Sequence, residues 1–131
     1  MPTDTYISFY LRGSKIHVFR KTLAELGNPQ FVRFRLHEDG NSMVMEAYSK
    51  KDFQSHRVPK KNREGWSLEI HSKPLCRIMM KHLNRNETQS YRIPGVAYPS
   101  QRIAVFDLTA AVMINQDGRQ KDNLLEDEYN K

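Results

Sequence analysis

The residues best equipped for chemistry in this 131-residue chain are cationic. Lys50, Lys51, Arg57, Lys60, Lys61 and Arg63 fall within positions 50 to 63, and Arg33 and Arg35 lie on the segment just before them. Phosphate recognition needs clustering of this kind, and Tyr48, Phe53 and Trp66 interleave ring surfaces on which bases can stack. The competing explanation is a solvated surface, which uses lysine and arginine equally freely. Arg33 is in addition matched to Glu46 by the strand register derived below, and Trp66 is better suited to a core. The expectation is a basic patch of low specificity that includes Lys50, Lys51, Arg57, Lys60, Lys61, Arg63 and Arg35, with no recognition motif.

Other reactive side chains promise less. Cys76 falls in the first turn of an expected helix, where free amides can lower a thiol pKa, but no general base stands at a recognisable spacing. A small buried helix residue is the better reading. The five histidines, His17, His37, His56, His71 and His82, show no HxH or HExxH spacing and no accompanying carboxylate cluster. His37, His56 and His71 each occupy a polar strand position and could share a sheet face, where solvated imidazoles outweigh a metal site. With no glycine-rich phosphate loop and no GxSxG, the chain is expected to be a non-enzymatic protein with no catalytic residues, no metal and no cofactor.

Composition bounds the rest. The hydrophobic fraction of 38% and charged fraction of 27% are those of a soluble globular protein, with room for one domain. No apolar run reaches membrane-spanning length, and the first residues lack the pattern of a secretory signal, so a cytoplasmic protein with no membrane contact is expected. A single cysteine excludes an intrachain disulfide and agrees with a reducing compartment. Residues 1–114 carry 18 Lys and Arg against 10 Asp and Glu, and residues 115–131 carry 3 against 5, so a body of +8 is followed by a tail of −2. A basic body attracts polyanions, which makes DNA a permitted partner; a protein partner or a homo-oligomer is the alternative.

The elements that must position these residues are legible from periodicity. Trp66, Leu68 and Ile70 alternate with polar residues as in a half-buried strand, after which Leu75, Ile78, Met79 and Leu83 fall on one helical face. Ser72 is suited to cap that helix and Pro74 to its first turn. A second strand-to-helix unit runs from Lys15–Phe19 into Arg20–Leu26, with Phe19, Leu23 and Leu26 on one face and Gly27 set to end it in a left-handed conformation. Phe31–Tyr48 reads as a hairpin about Asp39-Gly40, expected as a two-residue type I′ turn, with Leu36 opposite Met43, Phe34 opposite Met45, Val32 opposite Ala47, and Arg33 opposite Glu46. A one-residue slip would set arginines against methionines.

Further strands are expected over Tyr6–Leu11, Phe53–Val58, Ser90–Ile93 and Arg102–Phe106, with Pro94-Gly95 and Pro99-Ser100 as breaks. Gln54–Pro59 and Gln89–Pro94 share the form Q-S-aromatic-R-aliphatic-P, an internal repeat that would mark two strand-loop-strand-helix units, the second capped by Asp107 or Thr109. Residues 115–131 are expected to form a polar, acidic and flexible tail.

The order IHVFRKTLAELG, FVRFRLHEDGNSMVMEAYS, WSLEIHSKPLCRIMMKHL resembles one half-domain of the sliding DNA clamps, the ring proteins that encircle duplex DNA. That resemblance is one of element order over residues 15–107 and assigns no residue a clamp role. The fold expected is α+β: a single domain over 1–114, mainly a curved antiparallel sheet with two short helices and clamp-like in outline. The function expected is a non-enzymatic binding module, DNA-associated or clamp-like, the alternative being a protein-interaction module without nucleic-acid contact.

Overall fold

Alternation of apolar and polar residues dictates the sheet. In the computed structural model, which describes residues 2–52, 55–58, 67–83 and 90–114, nine strands form one sheet, every neighbouring pair antiparallel. They are β1 (Thr3–Tyr10), β2 (Lys15–Phe19), β3 (Phe31–Leu36), β4 (Ser42–Tyr48), β5 (Ser55–Arg57), β6 (Ser67–His71), β7 (Ser90–Tyr98), β8 (Ile103–Asp107) and β9 (Val112–Ile114). Their order is β5-β3-β4-β8-β7-β1-β2-β6, with β9 also on β7. Two helices, α1 (Arg20–Glu25) and α2 (Lys73–Leu83), complete a small α+β fold whose sheet coils into a nearly closed, barrel-like form.

One face of the sheet is continuous core. Paired positions carry it from strand to strand: Leu68 and Ile70, Val18 and Ile16, Ile7 and Phe9, Ile93 and Tyr91, Phe106 and Ala104, Met43 and Met45, then Val32, all buried. Each fully buried side chain of this size contributes about 1.5 to 3 kcal/mol relative to exposure. Leu23 from α1, Leu26 just beyond its end, and Cys76 and Met79 from α2 pack on the same cluster. Thr5, on that face of β1, shares a close hydroxyl contact with the buried Thr22 of α1. The opposite face carries the strand arginines Arg33, Arg35, Arg57 and Arg92, while Arg20, Lys21, Lys73, Arg77 and Lys81 are exposed on the helices.

The hairpin register is as the alternation requires, from Phe31 opposite Tyr48 to Leu36 opposite Met43. Its turn differs. Among the described non-glycine residues only Ser14, Asn28 and Arg102 have positive φ, so Asp39 does not make the type I′ geometry. Instead His37 pairs with Ser42 (N–H to O, 2.8 Å), the Gly40 amide donates to the His37 carbonyl at 2.9 Å, and Gly40 takes φ of 72°. The Asp39 carboxylate accepts from the Asn41 amide at 2.8 Å, which competes with a tighter turn and holds its pKa below the usual range. A four-residue loop over 38–41 and a two-residue loop over 39–40 share one register, which is why the pairing survives the change of turn. The burial is narrower than the pattern implied: Val32, Met43 and Met45 are buried, Phe34 only partly, and Leu36 near the tip is exposed.

Both helices follow their strands, with corrections. The Leu75 amide donates to the Ser72 hydroxyl at 3.2 Å, the expected cap of α2. In α2 Cys76 and Met79 are buried and Leu75 partly so, and Ile78, one position off that stripe, is exposed. Gly27 ends α1 at φ of 83° and Asn28 follows at 50°. Phe19 does not join the α1 face; it is the last residue of β2 and packs edge-on against Tyr6 on the outer face, centroids 4.5 Å apart.

β7 runs unbroken through Pro94-Gly95, where a break was expected. Pro94 falls between the stretch paired with β9 (90–92) and the stretch paired with β8 (95–98), so its missing N–H costs no ladder bond on that side. Gly95 faces Phe106 in the core: a Cβ there would fall against the Val105 carbonyl oxygen and 2.6 Å from the Phe106 ring. The chain then turns at 99–102, forms β8, makes one 3-10 turn over Leu108–Ala110, and returns to β7 as β9, a strand the sequence pattern did not reveal. Asp107 caps that turn, accepting from the Thr109 amide at 3.0 Å. The proposed repeat does not persist: Ser55–Arg57 is an edge strand, and Ser90–Ile93 begins the central β7. Among the described residues no helix is long and apolar enough to cross a membrane. Trp66, Phe53 and the tail from 115 lie outside the described residues.

Candidate nucleic-acid interface

Pairing of β5, β3 and β4 places Arg57 opposite Phe31 and Phe31 opposite Tyr48 in one row on the sheet face away from Val32, with Phe31 buried, Tyr48 half-buried and Arg57 exposed. The Arg57 guanidinium lies 5.4 Å from the Phe31 ring centre. One row along, Arg33 sits 4.3 Å over the Tyr48 ring and donates through Nε to Glu46 Oε1 at 2.7 Å. Lys50 and Lys51 follow Tyr48 and are exposed. The Ser55 hydroxyl, at the start of β5, accepts from the Asp52 amide at 2.9 Å. Two lysines and Arg57, separated in sequence, thus lie at the same end of the sheet. Against them stand Glu46, engaged by Arg33, and Asp52, whose hydrogen bond to the Tyr48 hydroxyl raises the phenol pKa.

Arg35 lies one row further toward the hairpin tip, opposite Val44, its side chain 62% exposed and its Nη2 3.4 Å from Glu46 Oε2. It borders the cluster without joining its row. Lys60, Lys61 and Arg63 lie outside the described residues. Of the seven cationic residues expected to act together, Lys50, Lys51 and Arg57 are brought together, with Arg35 at their margin.

A cleft adjoins this end of the sheet. It encloses about 300 Å³ between the end of α1 and the β7–β8 turn, and its walls include Asn28, Gln30, Tyr48, Ser49 and Arg102. Arg102 holds a left-handed backbone (φ 57°), which costs a non-glycine residue about 1 to 2 kcal/mol. Its Nε donates to the Leu26 carbonyl at 3.1 Å, satisfying an acceptor at the helix end, and its own carbonyl accepts from the Ala47 amide at 2.9 Å. The guanidinium is thus held in place over Gly27, where a Cβ would meet it at 3.4 Å. Sequence reasoning missed this residue, reading Arg102 as the first residue of a strand and Asn28 as a helix stop. The only signal was the non-glycine residue closing the Pro99-Ser100 turn.

A second polar row crosses the other half of the outer face. Arg92, Ser8, His17 and Glu69 are successive partners on β7, β1, β2 and β6. Ser8 is fully buried, and neither its hydroxyl nor Arg92 Nε has a hydrogen-bond partner among the described residues. His17 Nε2 stands 3.5 Å from Glu69 Oε2, with its pKa lowered by burial and partly restored by that carboxylate. The rings of Tyr6, 4.4 Å from Arg92, and Tyr10, 5.1 Å from His17, flank the row. A serine sealed in this way has no path to a substrate.

The remaining candidates separate. His56 stacks edge-on with Phe34, ring centres 5.8 Å apart, and pairs with Val32 on the core face, whereas His71 pairs with Lys15 on the outer face and His37 sits in the hairpin loop. They do not share a face, and among the described residues no group of three His, Cys, Asp or Glu could hold a metal ion. Burial pushes the Cys76 thiol up to about 11, the opposite of what a nucleophile needs. No protein-family model, curated protein or solved structure matches this chain, so its geometry alone carries the functional reading.

Proposed function

We propose that this protein is a non-enzymatic, DNA-associated binding module that engages the phosphate backbone through the end of the sheet bearing Lys50, Lys51 and Arg57. The carrying observation is the row Arg57, Phe31, Tyr48 with the lysine pair beyond it, which sets cations from two segments beside the partly exposed Tyr48 ring, the Phe31 ring being buried beneath Arg57. Cations position a backbone and rings accept bases without regard to sequence, so the binding is electrostatic in origin and low in specificity. The element order, similar to that of a sliding-clamp half-domain, supports a clamp-like accessory role.

Binding to generic duplex and single-stranded DNA should weaken steeply with salt, because each neutralised phosphate releases condensed counterions. Replacing Lys50, Lys51 and Arg57 together by glutamine should reduce the slope of log K against log salt by roughly 2 to 3 while circular dichroism stays unchanged. Absence of binding to either form at low salt and micromolar folded protein would falsify the reading. The second reading, a protein-interaction module, is favoured by Val44, Val105 and Val96, which form a partly exposed apolar row across β4, β8 and β7 on the same outer face.

A further inference from the structure

Three features of the cleft beside the basic end bear on what it could hold. Its wall contains guanidinium, amide and hydroxyl groups but no carboxylate, which suits an anionic, hydrogen-bonding occupant and disfavours a cation. Asn28 and Arg102, both in its wall, are two of the three described non-glycine residues with left-handed backbones. Conformations of this kind persist where the surroundings hold them, and they cluster at ligand sites. Finally, Arg102 is anchored through Nε alone. The two Nη groups of the fork, the pair that recognises phosphate oxygens, have no partner among the described residues.

We infer that this cleft is a nucleotide subsite for single-stranded DNA: one unstacked nucleotide enters, its phosphate on the Arg102 Nη groups and its base among Tyr48, Asn28 and Gln30. The inference rests on the DNA-binding reading above and deepens it. A volume of about 300 Å³ lies at the lower limit of small-molecule sites and admits a single nucleotide, whereas a base held in a duplex stack cannot enter without being extruded. Ser49 connects the cleft wall directly to Lys50 and Lys51, so a strand leaving the cleft passes onto the lysine pair. Amides that both donate and accept, with one tyrosine ring, read a base edge weakly, which predicts tolerance of sequence with preference for single strands.

The test compares fluorescently labelled dT12 with a 12-base-pair duplex at low salt, using wild-type protein, Arg102→Gln, and Lys50→Gln/Lys51→Gln/Arg57→Gln. The inference expects Arg102→Gln to weaken dT12 at least tenfold and the duplex less than twofold, while the triple variant weakens both. Arg102→Gly, which suits the left-handed backbone, guards against misfolding and should show the same selective loss. Thymidine 5′-monophosphate alone should shift the amide resonances of Gly27, Asn28, Ser49 and Arg102. If dT12 binding survives both Arg102 variants but falls in the triple variant, the cleft is overturned and the basic end stands. Equal weakening of both DNA forms by Arg102→Gln also overturns it, because the arginine is then a general phosphate contact. Failure of wild type to bind either form removes both readings together.

Discussion

The outer face of one sheet is used in two opposite ways. Across β7, β1, β2 and β6, polar side chains are drawn inward beneath tyrosine rings, and Ser8 and Arg92 Nε are sealed without hydrogen-bond partners among the described residues. Across β5, β3 and β4, guanidinium groups lie over rings and keep their outer sides in solvent, with Lys50 and Lys51 beside them. Both halves combine cations, aromatics and a carboxylate, so composition alone does not distinguish them. Access does. A cation stacked on a ring at an open edge can still meet a phosphate, whereas a buried serine between histidine and arginine serves the fold.

The two halves also differ in how firmly they are tied to the core, and the largest expected effect tests that difference. Phe106 is fully buried where β8 joins β4 to β7, opposite both Met43 and Gly95. Phe106→Ala should cost on the order of 3 to 5 kcal/mol by chemical denaturation. Phe34, partly buried beside His56 near the open end, should cost about half as much when truncated, since part of its surface is already wet. Equal losses at the two positions would mean that the basic half is as firmly packed as the centre, and the contrast would fail.

A smaller effect sharpens the contrast within the sealed row. Replacing a buried hydroxyl that lacks a partner removes a desolvation penalty and little else, so Ser8→Ala should stabilise the protein by about 1 kcal/mol. A loss of stability would show that the hydroxyl has an occupant or a partner, and the row would then rank with the basic end as a candidate site.

Much of this contrast was hidden in the sequence for a definable reason. Period-two alternation showed the hairpin, its register and the Arg33–Glu46 pair, because each depends on which face a residue takes. Ser72 as a cap and Gly27 as a helix end were equally legible, since both are local chemistry. The order of strands is not local. Ser8, His17 and Glu69 become neighbours only because β1 lies beside β2 and β2 beside β6, and β9 exists only because β7 has an edge left to fill. The cleft was invisible for the same reason: Arg102 meets Leu26 across 76 residues of chain. Lys50, Lys51 and Arg57 could be grouped from the sequence because the segments that carry them are near in the chain and lie at one end of the same sheet.

The smallest expected effect is the pH dependence of stability, where the two halves each contribute one histidine. Burial lowers the pKa of His56 with no opposing charge, and lowers that of His17 against the pull of Glu69. Each folded pKa therefore lies below the ordinary value of about 6.5, and the unfolded chain binds protons more readily as pH falls. Their contribution is complete above about pH 6.5 and is lost as pH drops through the folded values. Denaturation midpoints measured from pH 8 to pH 5 should decline below 6.5, and His56→Gln should flatten the decline. Glu69→Gln should steepen it, since removing the carboxylate lowers the His17 pKa further. If Glu69→Gln flattens the curve instead, the Glu69 carboxylate is not what stabilises the charged form of His17, and the polar row has a different electrostatic origin.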